Sequence, residues 1–228
     1  MNILAIDTST EACSAAFLRE DGAIFSEFEI APRQHTRLLP KMMDTVLKAA
    51  DCARSVITHC AFANGPGAFT GVRIAASTAQ GIGIALKIPL VPVSTLATLA
   101  QLSLDRHTGE STMVALDARM GEIYWAIYSR GKNGLASLSG EEQLTRIDAV
   151  NPVTMPDIGA GHGWSVEHPD WQSWTSGKSI DVDANLLPDS RSLLKLAEEA
   201  IRQERICSAE NITINYLRNQ VAEKSKKR

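Results

Sequence analysis

Apolar residues crowd the start of the chain in short runs split by polar turns. Asn2–Asp7 reads as a strand that ends on an acid. The turn Thr8-Ser9-Thr10-Glu11 leads to a second strand around Cys13–Arg19, and Asp21-Gly22 is a hairpin signal that delivers a third, Ala23–Ile30. The period then lengthens. From Thr36 to Ala50 the apolar positions Leu38, Leu39, Met42, Met43, Val46 and Leu47 recur every three or four residues, the spacing of a helix with a wide apolar stripe. Pro40 falls in its first turn, where it is tolerated. A buried strand, Val56–Ala63, precedes the turn Asn64-Gly65-Pro66-Gly67 and a helix from about Thr70 to Lys87. A short strand (Leu90–Val93) and a helix capped by Ser94 complete a β-β-β-α-β-α-β-α order.

A second half starts in the same way. Thr112–Leu116 and Ile123–Ser129 read as strands around the turn Asp117–Glu122, and Gly131-Lys132-Asn133-Gly134 turns again. Ile158–Trp164 reads as a strand that runs into a Gly-rich loop, and a helix spans about Ser190–Glu204 behind a cap at Asp189 or Ser190. The stretch Asn151–Pro188 has weak periodicity and receives no assignment. All five Phe lie between Phe17 and Phe69, and all Trp and Tyr between Tyr124 and Tyr216, so the division falls in the polar stretch Asp105–Ser111. Two lobes follow, residues 1–106 and 107–228, as a duplicated α/β fold with mixed sheets.

Composition narrows the class. With 228 residues and 44% hydrophobic content the chain can bury a real core. The net charge is −3, and four of the cations (Lys224, Lys226, Lys227, Arg228) sit at the very end, so the body is distinctly acidic. That balance argues against a protein built mainly to grip nucleic acid. No apolar run reaches the ~20 residues of a membrane span, and Met1–Asp7 has no signal-peptide character. The four cysteines show no paired motif, which suits reduced thiols in a cytoplasmic setting.

Candidate chemistry concentrates in Gly65-Pro66-Gly67-Ala68-Phe69-Thr70-Gly71-Val72-Arg73, which joins a buried strand to a helix. Glycines permit close backbone approach, Thr70 can cap the helix, and first-turn amides can bind an anion. Arg73 opposes the helix dipole there, so it calls for a carboxylate or phosphate partner. A tight structural turn and a phosphate cradle both stay open. Asp7 could face a nucleotide phosphate or its metal, or could belong to a turn that Thr8, Ser9 or Thr10 caps locally. Asp117, Arg119 and Glu122 form a second polar cluster, for which an ion pair inside the turn is the plain reading. Ala75, Ala79 and Gly83, spaced by four, let another helix come close. They belong either to an internal contact or, with Met42 and Met43, to a partner surface. The five histidines are scattered without metal-ligand spacing, and no Walker A, GxSxG or dinucleotide fingerprint occurs.

Several of these segments together resemble the TsaB family, formerly YeaZ. They are Ile3–Thr10 with Asp7 and Ser9, Gln34–Pro40 with His35, Gly65–Arg73 with Pro66, Gly67, Phe69, Thr70 and Gly71, and Leu116–Tyr124 with Asp117, Arg119 and Glu122. Tyr216-Leu217-Arg218 also fits, although Asn215 stands where the family has proline. The likeness is dense over residues 1–130 and sparse beyond. It implies an actin-like fold of two ribonuclease-H-like lobes, in the ASKHA group of sugar kinases and Hsp70.

It further implies a part in forming N6-threonylcarbamoyladenosine beside the anticodon of tRNAs that read codons starting with A. In that family the subunit is not the catalyst. It dimerises with the catalytic paralogue TsaD, the ATPase TsaE joins the assembly, and the chain alone forms a homodimer. Contact with tRNA is then indirect. No cofactor of its own is implied; a nucleotide at the partner interface is left open, with Asp7, Thr8, Gly67, Thr70 and Arg73 as its weak candidates. By the same reasoning the partner interface comprises Leu39, Met42, Met43, Val46, Val72, Ala75, Ala76, Ala79, Gln80 and Gly83. Two departures from active relatives agree with a noncatalytic role: Ser9 replaces the glycine of a phosphate-wrapping hairpin, and Leu39 stands one helical turn after His35, where a metal-binding paralogue has its second histidine. The alternative is an ATP-dependent kinase of this fold, or a peptidase, acting alone.

Overall fold

A computed structural model describes residues 1–152, 154–166 and 180–218. Its first sheet, sheet A, contains β1 (Ile3–Asp7), β2 (Ala12–Leu18), β3 (Ile24–Ile30), β4 (His59–Ala63) and β5 (Leu90–Val93) in the order β3-β2-β1-β4-β5. The meander β1-β2-β3 is antiparallel, while β4 and β5 add in parallel on the other side. Sheet B contains β6 (Ser111–Arg119), β7 (Glu122–Arg130), β8 (Ala136–Arg146), β9 (Ile158–Ala160) and β10 (Asp181–Asp183) in the order β10-β9-β6-β7-β8. It repeats the plan: β6-β7-β8 antiparallel, then β9 and β10 parallel. The first strand of each half therefore lies at the centre. β1 is buried along its whole length, which is why it reads as an apolar run rather than an alternation.

The helices do not follow the sequence division. Helices α1 (His35–Ala49) and α2 (Phe69–Leu86) cover one face of sheet A over Leu4, Ile6, Phe17, Cys60 and Phe62. Its other face carries α4 (Ser190–Arg202), whose Leu193, Leu194 and Ala197 meet Ile3, Ala5, Ala16 and Val91. Helix α3 (Thr95–Arg106) packs instead on sheet B, with Leu96 and Leu99 against Val114, Leu116 and Ala126. The Ser94 hydroxyl accepts from the Ala97 amide at 3.2 Å and the Asp189 carboxylate from the Ser192 amide at 2.8 Å, so both caps fall where local chemistry puts them.

Two expectations change. The strand thought to begin at Val56 starts at His59, behind a 3-10 turn over Arg54–Val56. An eleven-residue strand, β8, follows the turn Gly131–Gly134, where no element was assigned; it is an edge strand with Glu141, Arg146 and a positive-φ Gly140 along it.

A larger correction concerns the two helices. Leu39, Met42, Val46, Val72, Ala75, Ala76, Ala79 and Gly83 are all buried inside the lobe, and only Met43 and Gln80 stay half-buried. The stripe that periodicity finds is the one each helix needs for its own sheet. What the pair presents outward is a groove of about 370 Å³ lined by Pro40, Met43, Asp44, Thr78, Gly81, Ile82, Ala85 and Leu86. His168 and the tail Lys224–Arg228 lie outside the described residues. No helix among the described residues is long and apolar enough to cross a membrane.

Leu39 is 1% exposed. Leu39→Ala should therefore cost the isolated chain about 2–5 kcal/mol in urea unfolding, whereas Met43→Ala at its half-buried position should cost about 1 kcal/mol.

Candidate functional site

Where the C-terminal ends of β1 and β6 face each other, a cleft of about 710 Å³ opens between the two sheets. The turn after β1 contributes Ser9, Thr10 and Glu11; the loop before α2 contributes Gly67, Ala68, Phe69 and Arg73. From the other side come Leu116, Asp117, Ala118, Arg119, Tyr124 and His162, and the C-terminal segment adds Tyr216 and Arg218.

The loop lies directly on the turn. Thr8 donates its hydroxyl proton to the Gly71 carbonyl at 2.7 Å, and the Ala68 amide donates to the Ser9 carbonyl at 2.8 Å. A Cβ at Gly71 would run into the Thr8 carbonyl oxygen, and one at Gly67 into that of Ser9. Glycine is needed here for close approach, and the approach is to the chain's own backbone. Of the two open readings of this loop, the tight structural turn describes these contacts. Thr70 is not the cap: it lies inside α2, exposed, and the cap position belongs to Ala68 without any side-chain bond.

Arg73 meets no carboxylate among the described residues. Its guanidinium stacks on the Phe69 ring, 3.3 Å from the centroid, with the Tyr216 ring 5.1 Å away, and it donates to the Phe69 carbonyl at 3.1 Å. Ring quadrupoles take the place of the anion that the sequence called for. In the second cluster Asp117 pairs with Arg119 at 2.8 Å within the turn, while Glu122 reaches away to Arg218 at 2.6 Å. Arg218 also donates to the Ala118 carbonyl at 3.0 Å. Asn215 donates its amide to the Asn64 carbonyl at 2.9 Å, a bond that a proline at this position cannot make. Its side chain donates to Glu142 at 2.9 Å, so one residue links both sheets.

Asp7 does not line the cleft. It is buried, with Oδ1 accepting from the Ser9 amide at 2.8 Å and the Ser9 hydroxyl at 2.6 Å, while Oδ2 has no partner among the described residues. Desolvation outweighs the Ser9 bonds and raises its pKa to about 7. His35 is spent as well: it opens α1, buried, with Nε2 beside the Ala12 carbonyl at 3.2 Å. Burial pushes the Cys13 and Cys60 thiols up to about 12, so neither is a thiolate nucleophile at neutral pH. Among the described residues no three His, Cys, Asp or Glu side chains gather as metal ligands would.

His162 is the cleft residue that sequence reading passed over. The Asp117 amide donates to its Nδ1 at 3.0 Å, so the ring proton sits on Nε2, 3.7 Å from Glu11. Burial lowers its pKa against the pull of Glu11 and Asp117. The flanking Gly161 and Gly163, both packed against Ala115, were the available signal. Tyr216 and Arg218 stood in the recognised tail, but only the fold brings them to Arg73 and Glu122.

Two lobes of one mixed-sheet plan, closed around a central cleft, define an actin-like α/β protein. The family model for TsaD, tRNA N6-adenosine threonylcarbamoyltransferase, matches residues 28–226. The TsaB protein of Escherichia coli, a tRNA threonylcarbamoyladenosine biosynthesis protein, is 36% identical over 97% of this chain and 96% of its own length. Its Haemophilus influenzae counterpart is 32% identical over 97% and 95%. YeaZ from Pseudomonas aeruginosa superposes with a TM-score of 0.87 at 39% identity, covering 95% of this chain and 99% of that one. The chain belongs to the TsaB family.

A carboxyl whose native pKa exceeds its unfolded value holds its proton better when folded, so stability falls as pH rises between the two values. For Asp7 the window runs from 3.8 to about 7, and the loss is about 4 kcal/mol at most. Asp7→Asn should flatten the dependence of Tm on pH across that window and leave the variant more stable than the parent at pH 8. A second substitution tests the loop contact: Gly71→Ala should lower stability by about 3 kcal/mol or more in denaturant unfolding, since the Thr8 carbonyl blocks the added methyl.

Proposed function

We propose that this chain is a noncatalytic subunit of the machinery that makes N6-threonylcarbamoyladenosine beside the anticodon of tRNAs reading codons that start with A. It pairs with the larger catalytic paralogue TsaD through the outer groove of α1 and α2, with TsaE joining the assembly, and it forms a homodimer through the same groove when alone. It works in the cytoplasm, carries no cofactor of its own and meets tRNA through its partner.

Gly81 is the observation that carries the reading. A glycine inside a helix costs about 1 kcal/mol relative to alanine. Gly83 repays it internally, since a Cβ there would press on Leu90 and Ala209. Gly81 does not: it is exposed, and a Cβ there would meet nothing within 4 Å. Within this fold the missing methyl has no packing reason. A second helix seated in the groove would supply one, with Ala85 one turn further on.

The lone-enzyme alternative finds less support. The backbone of the glycine loop is engaged with the turn after β1, and the buried thiols and His35 are committed elsewhere.

Gly81→Ala should stabilise the isolated chain by about 1 kcal/mol. Gly81→Glu and Ala85→Glu should leave the monomer folded by circular dichroism, yet abolish co-elution with TsaD in size-exclusion chromatography and the tRNA modification reconstituted with it. Modification that proceeds equally well without this chain would sink the proposal.

A further inference from the structure

β3 is the outer strand of sheet A on the meander side, seven residues long, and its free edge has no strand partner among the described residues. Large apolar side chains nevertheless stay exposed on it: Ile24 at 40%, Phe28 at 47% and Ile30 at 61%. The register with β2 pairs Leu18 with Ile24, Ser14 with Phe28 and Ala12 with Ile30, so all three project to one face. That is the face that α4 covers further in, where Ala16 and Leu18 are buried. On the opposite face Phe25 packs into the core under α1, but Glu27 and Glu29 beyond it are exposed. Neither acid makes an ion pair among the described residues.

An edge strand presents a row of unpaired amides and carbonyls, which is a template for another strand. An apolar stripe along such an edge adds a reason to be covered. The two acids then say what covers it. A second copy of this chain, paired antiparallel about a two-fold at Phe28 so that the apolar stripes meet, would set each Glu27 opposite the other copy's Glu29, and like charges directly opposite are unfavourable.

We propose that β3 is a docking strand for an extended segment of another protein, in which apolar residues alternate with Lys or Arg. Its main chain would extend sheet A, its apolar side chains would cover Ile24, Phe28 and Ile30, and its cations would lie across from Glu27 and Glu29. The stripe lies on the α4 side of the sheet, opposite α1 and α2. A partner held in the α1–α2 groove leaves it free, so this surface stands independently of that one.

Two blocked nine-residue peptides test the idea on the full chain, one alternating Val with Lys and one alternating Val with Glu. Fluorescence anisotropy should show the Lys peptide binding about tenfold tighter at low salt, and hydrogen exchange should slow across residues 24–30. The double variant Glu27→Lys/Glu29→Lys should reverse the preference, and Phe28→Asp should weaken both peptides. Equal binding of the two peptides would overturn the proposal, leaving the acids as guards against edge pairing. Unchanged exchange over β3 would overturn it too, as would a charge-reversed variant with the parent's preference or self-association of the chain through β3.

Discussion

The arrangement of this protein hangs on one backbone contact: the start of α2 lying against the turn that follows β1. The Gly71 and Gly67 backbones lie directly on the Thr8 and Ser9 carbonyls, and the Thr8 hydroxyl and the Ala68 amide donate across the contact to the Gly71 and Ser9 carbonyls. With no side chain between them, the position of α2 relative to sheet A is set as tightly as packing permits. That single placement aims Phe69 and Arg73 into the cleft, turns Ala75 and Ala79 onto the sheet, and leaves Gly81 and Ala85 facing outward. A helix rotated by half a turn would exchange core and groove.

The same contact decides what the cleft can do. The glycine loop beside the cleft is engaged with the chain's own turn after β1, through Thr8 and Ser9. Several groups around it are engaged: Asp117 with Arg119, Glu122 with Arg218, and Arg73 with aromatic rings. The C-terminal segment helps to hold the two lobes in register by binding both sheets through Asn215.

What the sequence made legible was local. Asp21-Gly22 turns where a hairpin signal should, and Ser94 and Asp189 cap their helices, because each depends on a few adjacent residues. In the first half, strand and helix order followed from period and turn signals together. The errors share a cause, which is that periodicity reports a stripe but not its neighbour. Leu39 and Ala79 lie on real stripes, yet the neighbour is sheet A. Arg73 was rightly read as needing a counterpart, but the sequence separates it from Tyr216 by most of the chain. β8 escaped because an edge strand tolerates charge and needs no alternation. The sheet that α4 would cover was equally hidden, since nothing in Ser190–Arg202 distinguishes one apolar face from another.

That last placement bears on how the protein is made. Sheet A is complete in sequence at Val93, but the helix that covers one of its faces begins at Ser190. Roughly 5–20 s of synthesis separate the two at ordinary elongation rates. In that interval the emerging chain carries a finished sheet with Ile3, Ala5, Ala16 and Val91 uncovered on one side. The α4 face of sheet A can close only after Ser190–Arg202 has been made, so completion of the first lobe waits on residues from beyond the second sheet.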